Sequence, residues 1–98
     1  MRLLGLMLFN GDGIPMNKEK AAEYFKKASN QGDDEAMRLL GSMFLEGDGI
    51  SMNKPKAFHY FKLAAEKGNE DAMINYANLL HEGDRVPVNK KEAAMYFK

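Results

Sequence analysis

Cysteine is absent from the 98-residue sequence. That excludes structural disulfides and thiolate metal sites. It also suits a reducing compartment, and a cytoplasmic location is expected. A preponderance of one charge is equally missing: 14 Lys and Arg stand against 14 Asp and Glu. Phosphate recognition needs a clustered positive field, so neither nucleic acid nor an anionic membrane surface is expected as a partner. No apolar run approaches the ~20 residues that a membrane-spanning helix needs, and no signal-peptide pattern opens the stretch. What is present, 45% apolar residues including 10% aromatics, suffices for one modest core.

The dominant feature is self-similarity. The stretch Gly47-Asp48-Gly49-Ile50-Ser51-Met52-Asn53-Lys54-Pro55-Lys56-Ala57-Phe58-His59-Tyr60-Phe61-Lys62 recurs at a shift of about 36 residues in both directions. The earlier copy runs from Gly11 to Lys26 and the later one from Gly83 to Lys98. The register holds without a gap through Met1, Met37 and Met73, through Asn17, Asn53 and Asn89, and through Tyr24, Tyr60 and Tyr96. A period of this size marks a solenoid or array, here over 1–36, 37–72 and a partial third copy, 73–98. The sequence enters mid-pattern and stops before completing the third copy, so a piece of a longer solenoid is expected, with targeting signals left to sequence outside it.

Each copy reads as two helices. Met1 to Asn10 carries Leu4, Gly5 and Leu8 on one face, and Gly11-Asp12-Gly13 ends it because glycine tolerates the left-handed conformation. Asn17 is a suitable N-cap for a helix from Lys18 to about Gln31, with Ala21, Tyr24, Phe25 and Ala28 inward. Gly32 closes it and Asp33 or Asp34 caps the next helix. The cycle then repeats with Met37, Leu40, Gly41 and Phe44, then Ala57, Tyr60, Phe61 and Ala64, then Met73, Tyr76, Ala77 and Leu80 inward. Pro55 falls in a first helical turn, where its missing N–H costs little. Asn89 is expected to cap the last helix. Gly5, Gly41 and Ala77, opposite Ala21, Ala57 and Ala93, mark close approach within each pair, with Tyr and Phe filling the space between repeats. A helix pair this small buries its apolar face only by stacking on its neighbours.

The pattern Ala36-x-x-x-Leu40-Gly41-x-x-Phe44-x-x-Gly47-x-Gly49-Ile50-x-x-Asn53-x-x-Lys56-Ala57-x-x-Tyr60-Phe61-x-x-Ala64-Ala65-x-x-Gly68-x-x-x-Ala72 resembles a Sel1-like repeat. That is the ~36-residue relative of the tetratricopeptide repeat. The resemblance covers the whole chain, with Asn17, Asn53 and Asn89 replacing the family's usual Asp and Arg85 replacing the loop's second glycine. It implies an all-α fold, a right-handed α-α superhelix whose first helices line a concave surface and whose second helices lie on the convex side. It also implies a non-enzymatic adaptor, as in endoplasmic-reticulum-associated degradation, chitin synthase activation and bacterial signalling or host interaction. Some bacterial members are disulfide-stapled secreted proteins, and the lack of cysteine argues against that branch.

By helical period, the positions turned away from the inward stripe are Arg2, Leu6, Phe9 and Asn10, then Arg38, Ser42, Leu45 and Glu46, then Ile74, Asn78, His81 and Glu82. All of them except Asn10 and Ile74 are the candidate partner-binding residues. Arg2 and Arg38 would clamp a carboxylate or a peptide backbone, with Leu6, Phe9 and Leu45 as an apolar seat. The alternative is that both arginines pair with Glu35 and its neighbours and that the leucines pack on adjacent segments. A protein or peptide partner is therefore expected, with a structural spacer or a segment that self-associates through the apolar ends (Leu3, Leu4, Met95, Phe97) of a larger multidomain protein as the second reading.

No catalytic, metal or cofactor site is expected. His81, Glu82 and Asp84 lack a further converging ligand, and His59 reads as a surface side chain. Asn10-Gly11-Asp12-Gly13 lacks the alternating ligands and twelfth-position glutamate of a calcium loop, and Gly-Asp-Gly is too short to cradle phosphate. The acids Asp33-Asp34-Glu35 and Glu70-Asp71 begin helices, with no nucleophile behind them. The eight methionines fall mostly at packing positions.

Overall fold

The computed structural model describes residues 2–82. They form five α-helices: α1 (Arg2–Asn10), α2 (Lys18–Asn30), α3 (Asp34–Glu46), α4 (Lys54–Glu66) and α5 (Glu70–Glu82). Each helix packs chiefly against the next in sequence, as short connections between antiparallel neighbours require. Expectations at Met1, Asp84, Arg85, Asn89, Ala93, Met95 and Phe97 lie outside the described residues.

The helix starts follow from local hydrogen bonding. Asn17 Oδ1 accepts from the Lys20 N–H and Asn53 Oδ1 from the Lys56 N–H, each at 3.0 Å. Asp33 and Asn69 do the same for Ala36 and Ala72, at 3.1 and 2.9 Å. Of the two aspartates expected as a cap, Asp33 takes the role and Asp34 opens the helix. Between the helices of a repeat the loop turns back on the first helix: the Asn17 N–H donates to Leu8 O and the Asn53 N–H to Phe44 O, both at 2.8 Å. Gly47 leaves α3 at φ 66° and Gly49 continues at φ 83°, conformations that side chains strain to adopt.

The close approach within each pair is a glycine receiving an aromatic ring. A Cβ on Gly5 would fall 2.7 Å from Phe25 Cε1, and one on Gly41 would fall 2.9 Å from Phe61 Cε1. Both rings are wholly buried. Ala77 holds the same register in α5 and is also buried. Along the chain the core runs from Leu8, Phe25 and Leu40 to Phe61, Tyr76 and Leu80, with Met37, Ala64, Ala65 and Ala72 between α3, α4 and α5.

Five inward expectations differ. Leu4 is exposed, because the side of α1 that carries it corresponds to the side of α3 where Leu40 packs among residues of α2. Tyr24 and Met73 are only half-buried, and so are the neighbouring pair Phe44 and Tyr60. This pair stacks, ring centroids 5.8 Å apart and planes 8° apart, at the edge of the core. Conversely Ala36, Met43, Ala72 and Leu79, outside the expected stripe, are buried. A first helix lies between two second helices, so its apolar face is wider than a single stripe.

Candidate partner-binding surface

The first-helix side is organised by charge at the helix starts. Arg38 donates through Nε and Nη2 to the two carboxylate oxygens of Glu35, at 2.8 and 2.7 Å, the fork geometry that makes such pairs strong. Asn69 ties this pair to the next repeat, its Nδ2 donating to Asp34 Oδ2 at 3.0 Å and Glu35 Oε1 at 3.2 Å. The Arg38 hydrogen bond, above all, holds the Glu35 carboxyl below its ordinary range, and Glu35 in turn raises the Arg38 guanidinium. Arg2 reaches Asp33 at 3.3 Å. Both arginines therefore engage acids of their own chain, and the Nε edge that Arg38 would present to a partner's carboxylate is already taken by Glu35.

The apolar candidates divide. Leu6 and Leu45 are half-buried and pack against the core clusters, so they support the helices rather than stand free. Phe9 is likewise half-buried, tilted against Phe25 at 6.5 Å with Lys18 Nζ 4.8 Å above its ring. Phe9, Ser42 and Glu46 come together around a small dent of about 60 Å³ floored by Phe25 and Met43. Asn10, Ile74, Asn78 and His81 are exposed, and Glu82 closes α5.

A larger hollow is lined by none of these candidates. Between α2 and α4 lies a groove of about 750 Å³, floored by Leu40, Phe44 and Ile50 and walled by Glu19, Glu23 and Lys26 on one side and Lys56 and Tyr60 on the other. Lys56 Nζ stands 5.4 Å over the Phe44 ring, and burial pushes the Tyr60 phenol up. None of these was a candidate in the sequence. The available signal is that Glu19 and Glu23 sit where the next copy has Pro55 and His59, positions at which aligned repeats differ. At the edge shared by the repeats, Lys18 Nζ meets Asp48 Oδ1 at 2.8 Å.

Comparison with known proteins agrees with this architecture. The family model described as Sel1 repeat matches residues 1–33, 34–69 and 70–98. The second range opens at Asp34, the first residue of α3. The chain is similar to a Sel1 repeat protein from Oxalobacter formigenes, at 32% identity and TM-score 0.95, over 98% of this chain and 40% of that one. It is similar, too, to c5321, a protective antigen present in uropathogenic Escherichia coli strains and displaying an SLR fold, at 32% identity and TM-score 0.93, over 98% of this chain and 21% of that one. The chain thus spans less than half the length of either. No curated protein matches it by sequence. Proteins built from these repeats are generally protein-interaction modules. An all-α solenoid, matched over its whole length by three copies of one repeat, the chain belongs to the Sel1 repeat family.

Proposed function

We propose that the chain is a non-enzymatic adaptor that grips a segment of a partner protein along its first-helix face. The observation that supports this is the row of mixed, accessible side chains there. Asn10, Glu46, Asn78 and His81 stand exposed beside the half-buried Phe9 and Ser42, on helices whose opposite faces carry the core. A rigid scaffold offering polar variety around small apolar seats suits peptide recognition. Arg2 and Arg38 join in by exchanging Asp33 and Glu35 for a carboxylate of the partner. A photo-crosslinking side chain placed at Ser42 or Asn78 should yield partner adducts in lysate of the source cell, whereas one at Glu66 should not. Adducts from Glu66 alone would reject the first-helix face.

Self-association is the second reading, favoured by α1. Leu3 is 71% exposed and Leu4 38%, while their equivalents Leu39 and Leu40 pack against the core. A mass that rises with concentration in light scattering, and no longer does so in a Leu3→Ser, Leu4→Ser variant, would support it. A strict monomer would eliminate it.

A further inference from the structure

The α2–α4 groove lies apart from the first-helix face, and two observations define what fits it. The first is its floor. Phe44 and Tyr60 stack with part of their surface left open, and Ile50 continues the apolar strip. Lys56 already sets its ammonium over Phe44, so this aromatic surface takes a cation within the chain itself. The second is its α2 wall. Glu19 and Glu23 are exposed, one turn apart on the same helix face, and both line the groove. Their carboxylates have no ion-pair or hydrogen-bond partner among the described residues. Like charges at this spacing repel, so a cation placed between them relieves that repulsion. Of the two lysines that also line the groove, Lys26 lies about 10 Å further along the helix from Glu19 and Lys56 is turned onto the Phe44 ring, so neither is paired with Glu19 or Glu23.

We propose that this groove is a second docking site, for an extended peptide segment carrying an arginine or lysine beside a large apolar side chain. The cation rests against Glu19 and Glu23, and the apolar side chain lies on Phe44, Ile50 and Tyr60. The site is distinct from the first-helix face, and the two stand or fall separately.

The test uses the 98-residue chain and two fluorescein-labelled octapeptides, one alternating arginine with leucine, the other glutamate with leucine. The arginine peptide is expected to bind at least about tenfold more tightly in fluorescence anisotropy. Amide shift changes in the nitrogen-15-labelled protein should centre on Glu19, Glu23, Ile50 and Lys56. A Glu19→Gln, Glu23→Gln variant, altered only at exposed positions, should weaken binding about fivefold, while Ser42→Arg leaves it unchanged. Equal binding of the two peptides, shifts centred on Ser42 and Asn78, or full affinity in the double variant would each overturn the assignment.

Discussion

Replacing Gly41 with alanine sets two effects of opposite sign against each other. Gly41 lies inside α3, where alanine is the better helix former by about 1 kcal/mol. A surface glycine so replaced would stabilise the protein. Here the added methyl would sit 2.9 Å from Phe61 Cε1, 3.0 Å from Cδ1 and 3.3 Å from Cγ, inside the ~3.5–4.0 Å optimum for carbon pairs. Phe61 is wholly buried among Ala57, Tyr76 and Leu80, so its ring has no open space to move into. Overpacking of this kind costs about 1–3 kcal/mol. Against the propensity gain, the net loss is between about 0 and 2 kcal/mol, most plainly near 1. With a urea slope of about 1 kcal/mol/M for a chain of this size, the midpoint falls by about 1 M. Urea titration followed by circular dichroism at 222 nm reads this directly. Combining the change with Phe61→Leu should cost less than the two single losses added, by at least about 0.5 kcal/mol. A midpoint that rises in Gly41→Ala would refute the account, because the methyl would then be fitting without displacing the ring.

Three further outcomes follow from the geometry. Asn53→Ala removes the acceptor for the Lys56 N–H and should cost about 1 kcal/mol in the same titration, with Asn53→Asp retaining most of it. Gly49→Ala should cost at least about 1 kcal/mol, since Gly49 holds φ 83° and its new methyl would meet Lys18. The third concerns acid: Glu35 has its pKa depressed in the folded state by Arg38 first and Asn69 next, so its contribution is present above the unfolded carboxyl value of roughly 4.3 and is lost as pH falls through the lower folded value. Thermal melts from pH 6 to pH 3 should therefore show a smaller decline in Glu35→Gln than in the wild type, and equal declines would remove Glu35 from the explanation.

The fold was legible because its determinants are local or exactly periodic in the chain. Asn17 and Asn53 are caps that act within three residues, and Gly5 and Gly41 recur opposite Phe25 and Phe61. The surface was less legible, for a physical reason. Helical period tells which way a side chain leaves its own axis but not what the neighbouring helix places there. Leu6 and Leu45 point away from the main stripe and still pack on the core. Phe44 and Tyr60 belong to that stripe and still wall an open groove. Arg38 looked available until Glu35, three residues away on the same helix, met it in a fork. Helical period puts Arg38 and Glu35 within reach of each other but does not decide between that pair and a partner's carboxylate.

Each helix leans chiefly on its sequence neighbours, and that has a mechanical consequence. Contacts so close in sequence form quickly, because little chain must be closed into loops before they are made. Under tension applied at the two ends, the described residues offer no pair of distant strands that must shear together before anything yields. It should instead peel one helix at a time, each step lengthening the molecule while the remaining repeats keep their shape. A stack of this kind behaves as a spring that can give and recover in increments.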